Sequence, residues 1–181
     1  DIIASGSRGG ITLNGYNSSG RTWAINIGSG SNILANGGDI NINSFPNDTD
    51  YAGYLHIPGI TIGSKAGSDV QSSSSNINLT SNYFDLDGND PIINTSGNVS
   101  IKPYSDFWST FGDRGTNFRI SDFTLNDNNV NGEKINDITV GKASNTQKII
   151  IDENISVTGN VSLLSPATSS TSDIEINSGI S

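Results

Sequence analysis

Residues 32–44 read N-I-L-A-N-G-G-D-I-N-I-N-S. After the pair Gly37-Gly38 the residue types alternate, so that Ile40 and Ile42 fall on one face and the polar residues between them fall on the other. A period of two is typical of a strand that buries one face, and glycine before such a strand indicates a tight turn. The stretch therefore predicts a half-buried strand that begins directly after a glycine turn.

Variants of this phrase recur along the chain. Glycine opens the phrase at Gly38, Gly97 and Gly159, which lie 59 and 62 residues apart. Recurrence at a regular spacing indicates a solenoid of stacked coils, and coils of about 20 residues would place three coils between successive glycines. The other variants lie at 9–13, 75–79 and 172–177.

Composition agrees with a thin core. Hydrophobic residues are only 33% of the 181 residues, and such a chain suits a solenoid, in which each coil buries a narrow stripe against its neighbours. Most apolar residues recur with a period of two and not with the period of a helix, so we expect essentially no helix. We predict one all-β solenoid segment over residues 1–181, with a projecting loop at 45–54. The side chains expected to point inward are Ile11, Leu13, Ile25, Ile27, Ile40, Ile42, Ile60, Ile62, Ile77, Leu79, Val99, Ile101, Ile138, Val140, Ile149, Ile151, Val161, Leu163, Ile174 and Ile176.

Residues 103–125 break the alternation and are rich in aromatic side chains. We interpret this stretch as an insertion that leaves the ladder and covers one face or edge of the solenoid. Phe107, Trp108 and Phe111 are candidate carbohydrate contacts, because aromatic rings stack on the apolar faces of sugars. In the other interpretation the same rings pack the insertion against its own solenoid.

One short stretch has the oxygen density of a calcium loop. Asp85, Asp87 and Asp90 surround Gly88, and acids at alternate positions with a glycine at the bend are typical of calcium ligands. The stretch lacks the glutamate that closes an EF-hand loop at its twelfth position. The alternative is a turn rich in Asp and Asn that leads into the following proline. We expect no cofactor otherwise, and calcium at these three residues stays a candidate beside the turn.

Nothing in the sequence assembles a catalytic site, and we predict that the chain is not an enzyme. The single histidine, His56, has no second histidine and no cysteine to accompany it, so we interpret it as an outward-facing strand residue. Asp122 and Asp127 are the best pair of carboxylates for a glycosidase mechanism, but a turn explains both. A carbohydrate-active enzyme, a polysaccharide lyase or hydrolase, stays an alternative.

The charge balance limits the partners. The net charge is -9, 15 of the 18 acidic residues are Asp, and the nine basic residues are scattered, so nucleic acid is not an expected partner. Cysteine is absent, which excludes disulfides and thiolate metal sites. No apolar run reaches 18 residues, so no membrane-spanning segment is expected.

Four phrases resemble filamentous-haemagglutinin-type exoproteins, the large bacterial adhesins of two-partner secretion. They are G-G-D-I-N-I-N-S (37–44), S-G-N-V-S-I (96–101), I-T-V-G-K-A-S-N-T (138–146) with K-I-I-I (148–151), and T-G-N-V-S-L (158–163). The resemblance implies a right-handed parallel β-helix, a secreted or cell-surface location, and an adhesive shaft that contacts a host or neighbouring cell surface and its glycans. The family's secretion motif, N-P-N-G-I-x-F, is absent, which favours a shaft segment over the export domain.

The two ends of the chain carry the same phrasing. Residues 172–181 followed by residues 1–7 would read as uninterrupted solenoid, and neither end has an amphipathic capping helix or a charged terminal coil. We therefore expect either that further coils continue the chain or that copies stack end to end. The second case makes the chain a subunit of a self-assembling extracellular filament.

Overall fold

The computed structural model describes residues 1–17, 23–45, 54–64, 74–104, 112–113, 117–125, 134–144, 148–165, 174–177 and 179. Within these residues the chain is mostly strand, and its helical content is one 3-10 turn at Ile120–Asp122. The prediction of an all-β chain with essentially no helix is therefore confirmed. In the same part of the chain, no helix has the length and apolar character needed to cross a membrane.

Sixteen strands are present among the described residues. In chain order they are β1 (Ile2–Tyr16), β2 (Trp23–Asn26), β3 (Asn32–Phe45), β4 (Tyr54–His56), β5 (Thr61–Ser64), β6 (Ile77–Thr80), β7 (Tyr83–Asp85), β8 (Ile92–Asn94), β9 (Val99–Lys102), β10 (Gly112–Asp113), β11 (Phe118–Arg119), β12 (Thr124–Leu125), β13 (Ile138–Gly141), β14 (Ile149–Ile151), β15 (Val161–Leu164) and β16 (Ile174–Ile176).

The described strand pairs are all parallel. The first sheet has the order β12-β8-β5-β3-β6-β9-β13-β15, with β1 also paired to β3, and it curls into a half-barrel. The second sheet has the order β10-β7-β4-β2, and the third has the order β11-β14-β16. Parallel neighbours cannot be joined by tight hairpins, so each step between them requires a long connection.

One ladder of the first sheet runs from β1 to β15 in constant register. Its partners are Ile11, Ile40, Ile77, Val99, Ile138 and Val161, each aligned with the next. Between Gly38 and Gly97 this ladder has one intermediate strand, β6, so the spacing of about 60 residues spans two steps, and the expected three is wrong. The steps alternate in length because the connections differ: Ile40 and Ile77 are 37 residues apart, whereas Ile77 and Val99 are 22 apart.

The inward-pointing set is largely confirmed. Val161, Ile174 and Ile176 are the exceptions, and all three are exposed because β15 and β16 end the orders of their sheets. Leu13, Ile25, Ile27 and Leu163 are half-buried against the core. The buried members are Ile11, Ile40, Ile42, Ile60, Ile62, Ile77, Leu79, Val99, Ile101, Ile138, Val140, Ile149 and Ile151.

The described parts of 103–125 differ from the expected insertion. Within that range, β10, β11 and β12 each pair in parallel with a strand of one of the three sheets. Phe118 and Phe123 are buried, and the ring of Phe123 meets Phe84 edge-on with centroids 5.3 Å apart. Their aromatic rings therefore fill the core instead of covering it. Phe107, Trp108 and Phe111 lie outside the described residues, as do positions 46–53 of the predicted projecting loop.

Polar side chains form a second ladder outside the core. The Nδ2 of Asn76 donates to Asp39 Oδ1 at 2.9 Å, the backbone N–H of Asn98 donates to Asn76 Oδ1 at 3.0 Å, and the Nδ2 of Asn136 donates to Asn98 Oδ1 at 2.9 Å. Stacked asparagines of this kind add hydrogen bonds parallel to those of the backbone. The recurring Asp or Asn before each strand thus stabilises the register that the isoleucines share.

Candidate functional site

The corner built by β4 and β7 brings dissimilar polar residues together. The two strands pair in register, with Tyr54 beside Tyr83 and His56 beside Asp85. The residues between them, Leu55 and Phe84, are buried in the core. Because successive side chains of a strand alternate between faces, His56 and Asp85 share the opposite face of the sheet.

His56 nevertheless has a side chain only 9% exposed. The indole of Trp23, from β2, stacks on the imidazole with ring centroids 4.5 Å apart and an interplanar angle of 30°. Trp23 itself is 50% exposed, so its ring lies between the histidine and the solvent. His56 therefore lies on the face opposite Leu55, as predicted for an outward-facing strand residue, but it is buried because the ring of Trp23 covers that face.

Both imidazole nitrogens face carboxylates. His56 Nδ1 lies 3.3 Å from Asp85 Oδ2, and His56 Nε2 lies 3.9 Å from Asp87 Oδ2. Nδ1 is buried and makes no hydrogen bond to any atom in the described part of the chain. The Nε1–H of Trp23 donates to the same Asp85 Oδ2 at 2.8 Å, which fixes the orientation of that carboxylate.

A tight turn returns Asp87 toward His56. Asp87 and Gly88 have φ of 50° and 71°, and the N–H of Asn89 donates to the carbonyl of Leu86 at 2.8 Å. A four-residue turn with positive φ at both central positions is the type I′ arrangement, for which Asp-Gly is a preferred pair. The residues that suggested a calcium loop thus form a turn, and the turn places one of their carboxylates against the imidazole.

These three side chains are a plausible donor set for a metal ion. One ligand atom from each of His56, Asp85 and Asp87 lies within 4.8 Å of the other two. Of the predicted calcium residues, Asp85 and Asp87 belong to this group, whereas Asp90 is exposed and does not. Calcium prefers oxygen ligands, whereas imidazole favours zinc and its neighbours, so the donor set now differs from the predicted one.

A second polar cluster is structural. Asp152 accepts hydrogen bonds from Arg119 Nη1 at 3.0 Å, Ser121 Oγ at 2.9 Å and the Ser121 N–H at 3.1 Å. Partial burial acts to raise the pKa of Asp152, but these bonds favour the charged form and the pKa lies below its ordinary value. The cluster anchors the 3-10 turn to β14. Asp122 accepts from the N–H of Arg119, which agrees with its interpretation as a turn residue, and Asp127 lies outside the described residues.

A groove of about 340 Å³ lies beside this turn. Its lining includes one carboxylate, that of Glu153, and glycoside hydrolysis generally requires two carboxylates across the scissile bond. The groove therefore supplies no argument for the enzyme alternative. Its lining residues are Ile120, Phe123, Thr124, Leu125, Glu153 and Asn154.

The sequence analysis assigned His56 no metal-binding role because it found no second histidine and no cysteine as a partner. A weak repeat existed: Y-L-H at 54–56 and Y-F-D at 83–85 are 29 residues apart and align one above the other. Both begin with tyrosine and continue with a large apolar residue. Aligning them would have predicted that His56 and Asp85 are neighbours.

No protein-family model, curated protein or solved structure shows a significant match to this chain, so the proposals below depend on its residues and geometry alone.

Proposed function

We propose that this chain is a shaft segment of a secreted bacterial surface protein, folded as a right-handed parallel β-helix, and that it mediates adhesion. One observation carries the proposal: the register of the first sheet runs from Ile11 through Ile40, Ile77, Val99 and Ile138 without interruption. A chain whose strands stack at constant register forms an elongated body, because each unit contacts only the units before and after it.

The turns support closure of the strands into coils. The N–H of Ile27 donates to the carbonyl of His56 at 2.9 Å, and the N–H of Ile57 donates to that of Asp85 at 3.2 Å. One turn further on, the N–H of Gly30 donates to Gly59 at 3.1 Å. The connections that follow β2, β4 and β7 therefore stack with the same step as the strands. We propose a right-handed coil because parallel crossovers are right-handed in nearly all proteins.

A shaft of this kind resists deformation through its ladders. Backbone hydrogen bonds between neighbouring strands lie along the stacking direction, and the Asn76, Asn98 and Asn136 side chains add bonds in that direction. Stacked, register-matched side chains are a source of stability in extended β assemblies. We propose that this stiffness, without a catalytic step, is the role of the segment at the cell surface.

Aromatic side chains on the surface support a carbohydrate partner. Tyr16 and Phe45 stack with centroids 4.7 Å apart, and Phe45 meets Tyr104 edge-on at 5.2 Å. Tyr16 and Tyr104 are exposed. We propose glycans of a host or neighbouring cell as the ligand, with Phe107, Trp108 and Phe111 as further candidate contacts. The surface formed by Tyr16, Phe45 and Tyr104 is one candidate contact, and the three rings at 107, 108 and 111 are another. Mutating each set separately shows which of them binds the glycan.

Adhesion is tested by coating beads with the purified chain and measuring their retention on cultured cells and on immobilised polysaccharides. We expect retention that a Tyr16→Ala, Tyr104→Ala double variant or a Phe107→Ala, Trp108→Ala double variant reduces several-fold. A variant at an exposed polar site, Asn160→Ala, is the control. Release of shortened polysaccharide by the chain would contradict the proposal in favour of the enzyme, and retention equal to uncoated beads would contradict adhesion.

A filament subunit is the second candidate, and the outer strands favour it. Ile2 and Ile3 on β1 are exposed, as are Ile174 and Ile176 on β16, although all are large apolar residues. Edge strands with apolar side chains are templates for pairing with another chain. If copies stack end to end, sedimentation should show oligomers that grow with concentration and that Ile3→Lys or Ile176→Lys disperses. A monomer at all concentrations would exclude this candidate and leave the shaft.

A further inference from the structure

We propose that His56, Asp85 and Asp87 form a binding site for a divalent transition-metal ion of the zinc type, which joins β4, β7 and the turn after β7. The proposal is independent of the adhesive role. It assigns to the β4–β7 corner an ion that the shaft itself does not require. The ion differs from the predicted calcium because imidazole is a preferred ligand of zinc and not of calcium.

The buried imidazole is the first step of the argument. A histidine whose side chain is more than nine-tenths buried normally has its ring nitrogens satisfied, since a buried polar atom without a partner costs free energy. His56 Nδ1 makes no hydrogen bond within the described ranges, and it faces Asp85 Oδ2 at 3.3 Å. A cation between this nitrogen and the carboxylate oxygen would give Nδ1 the partner that it lacks.

The positions of the carboxylates are the second step. Asp85 is held by its strand register beside His56, and its Oδ2 receives the Trp23 Nε1–H. Asp87 has a side chain 49% exposed, so it has room to turn toward a bound ion. Zinc takes nitrogen at about 2.0 to 2.1 Å and carboxylate oxygen at about 2.0 to 2.2 Å, so ligand atoms within 4.8 Å of one another need only a small closure.

The surroundings of the donors are the third step. Residues that hold the ligands in place are as characteristic of metal sites as the ligands are. Trp23 acts in this way on two of the three donors, since its ring stacks on His56 and its N–H orients Asp85. A site with one imidazole, two carboxylates and an exposed side leaves a coordination position for water. We therefore expect a bound ion that is reachable from solvent.

The composition of the chain makes a metal-binding test specific for this site. His56 is the only histidine and there is no cysteine, so any metal signal that requires an imidazole reports this site. The protein must be prepared without a histidine tag. Titration of Zn²⁺ by calorimetry should give one site, and Zn²⁺ at about a hundred times its Kd should raise the Tm by about 5 to 10 °C.

Variants decide whether these residues are the ligands. His56→Gln and Asp87→Asn should each weaken Zn²⁺ binding at least about tenfold, in line with the loss of a ligand. Asp87→Asn is the safer variant, because the side chain is exposed and asparagine tolerates positive φ. Asp90→Asn is the matched control: it removes an exposed acid from the same stretch, and it should leave Zn²⁺ binding unchanged.

A spectroscopic readout places the ion. In a Trp108→Phe background, Trp23 is the only tryptophan, and paramagnetic Co²⁺ beside His56 should quench its fluorescence with the same concentration dependence as the heat of binding. Loss of the quenching in Asp87→Asn would support the site. The proposal is overturned if the tag-free chain binds no Zn²⁺ or Co²⁺ at millimolar concentration, or if His56→Gln binds as the parent does. It is also overturned if Ca²⁺ binds in preference and Asp90→Asn abolishes that binding.

Discussion

The chain contains the sequence Gly-Asn-Val-Ser twice, and the two copies differ in burial. Residues 97–100 lead into β9 and residues 159–162 lead into β15, and both strands pair with β13. Val99 is 1% exposed, whereas Val161 is 42% exposed. The difference arises because β9 also pairs with β6 on its other side, while β15 ends the described order of its sheet. Burial in this molecule is therefore decided by the number of neighbouring strands, and the local sequence only decides which face is apolar.

The comparison of β9 with β15 predicts the largest difference in stability when Val99 and Val161 are truncated. Val99→Ala should lower the free energy of unfolding by about 2 to 3 kcal/mol, from two lost methyl groups and the cavity that remains. Val161→Ala should lower it by only about 0.5 to 1 kcal/mol, because the side chain is largely solvated already. Urea unfolding of both variants measures the difference. Equal costs would mean that β15 is covered by a further strand or by another copy of the chain.

The glycines that open the two phrases sharpen the comparison. A Cβ at position 97 would meet the backbone carbonyl of Ser75 in the adjacent strand region, which cannot move without disturbing the ladder. At position 159 an added Cβ would meet the side-chain Oδ1 of Asp137 first and the backbone carbonyl of Asn136 at 2.8 Å, so it would approach the backbone less closely than at position 97. Gly97→Ala should therefore cost about 2 kcal/mol by overpacking, and Gly159→Ala about 1 kcal/mol or less.

Gly28→Ala is the control for these glycine variants, since an added Cβ there meets no atom within 4 Å. Denaturation midpoints of the three variants should rank them with Gly97→Ala the least stable. If Gly159→Ala were the more damaging change, the edge strand would be held more tightly than the interior one, contrary to the comparison.

The third sheet repeats the contrast on a smaller scale. Asp152 follows the interior strand β14 and accepts three hydrogen bonds, whereas Asn177 follows the edge strand β16. Asp152→Asn should cost about 1 kcal/mol near pH 7, a value reduced by the screening of the half-exposed Arg119. Glu153→Gln, at the exposed next residue, should cost almost nothing.

The pH dependence of that cost has a definite sign. Because the pKa of Asp152 is lowered in the folded protein, its stabilising contribution is complete above the ordinary aspartate value of about 3.9. The contribution is lost as the pH falls through the lowered value. The parent and Asp152→Asn should therefore differ near pH 7 and converge in strong acid, as followed by thermal unfolding. A difference that stayed constant down to the most acid pH would contradict the hydrogen-bond explanation.

The ladder could be predicted from the sequence because it repeats itself. Alternation identified Ile40, Ile42, Ile77 and Leu79 as core residues, and stacking identical residues needs no knowledge of distant contacts. The exposure of Val161 could not be predicted, because it depends on the position of β15 in the sheet order. A local pattern carries no information on what lies beyond a strand's outer side.

The candidate site was only half predictable for a related reason. Asp85 and Asp87 stood out as closely spaced acids, but their partner His56 precedes them by 29 and 31 residues. Only the register of β4 with β7 makes His56 and Asp85 neighbours, and only the stacking of Trp23 buries the histidine. A site built by the ladder from unlike residues leaves only a weak repeat in the sequence, here Y-L-H at 54–56 and Y-F-D at 83–85.

The central claim is that the repeated phrase stacks on itself in parallel, at constant register. The absence of cysteine allows a direct test by engineered cross-links. Asn78 is aligned with Asn41 on one side and with Ser100 on the other. Under mild oxidation, Asn41→Cys with Asn78→Cys should form an intramolecular disulfide. Asn41→Cys with Ser100→Cys should not, because two strand spacings of about 4.8 Å exceed the reach of a disulfide. Cross-linking of the second pair and not the first would contradict the ladder and, with it, the proposed shaft.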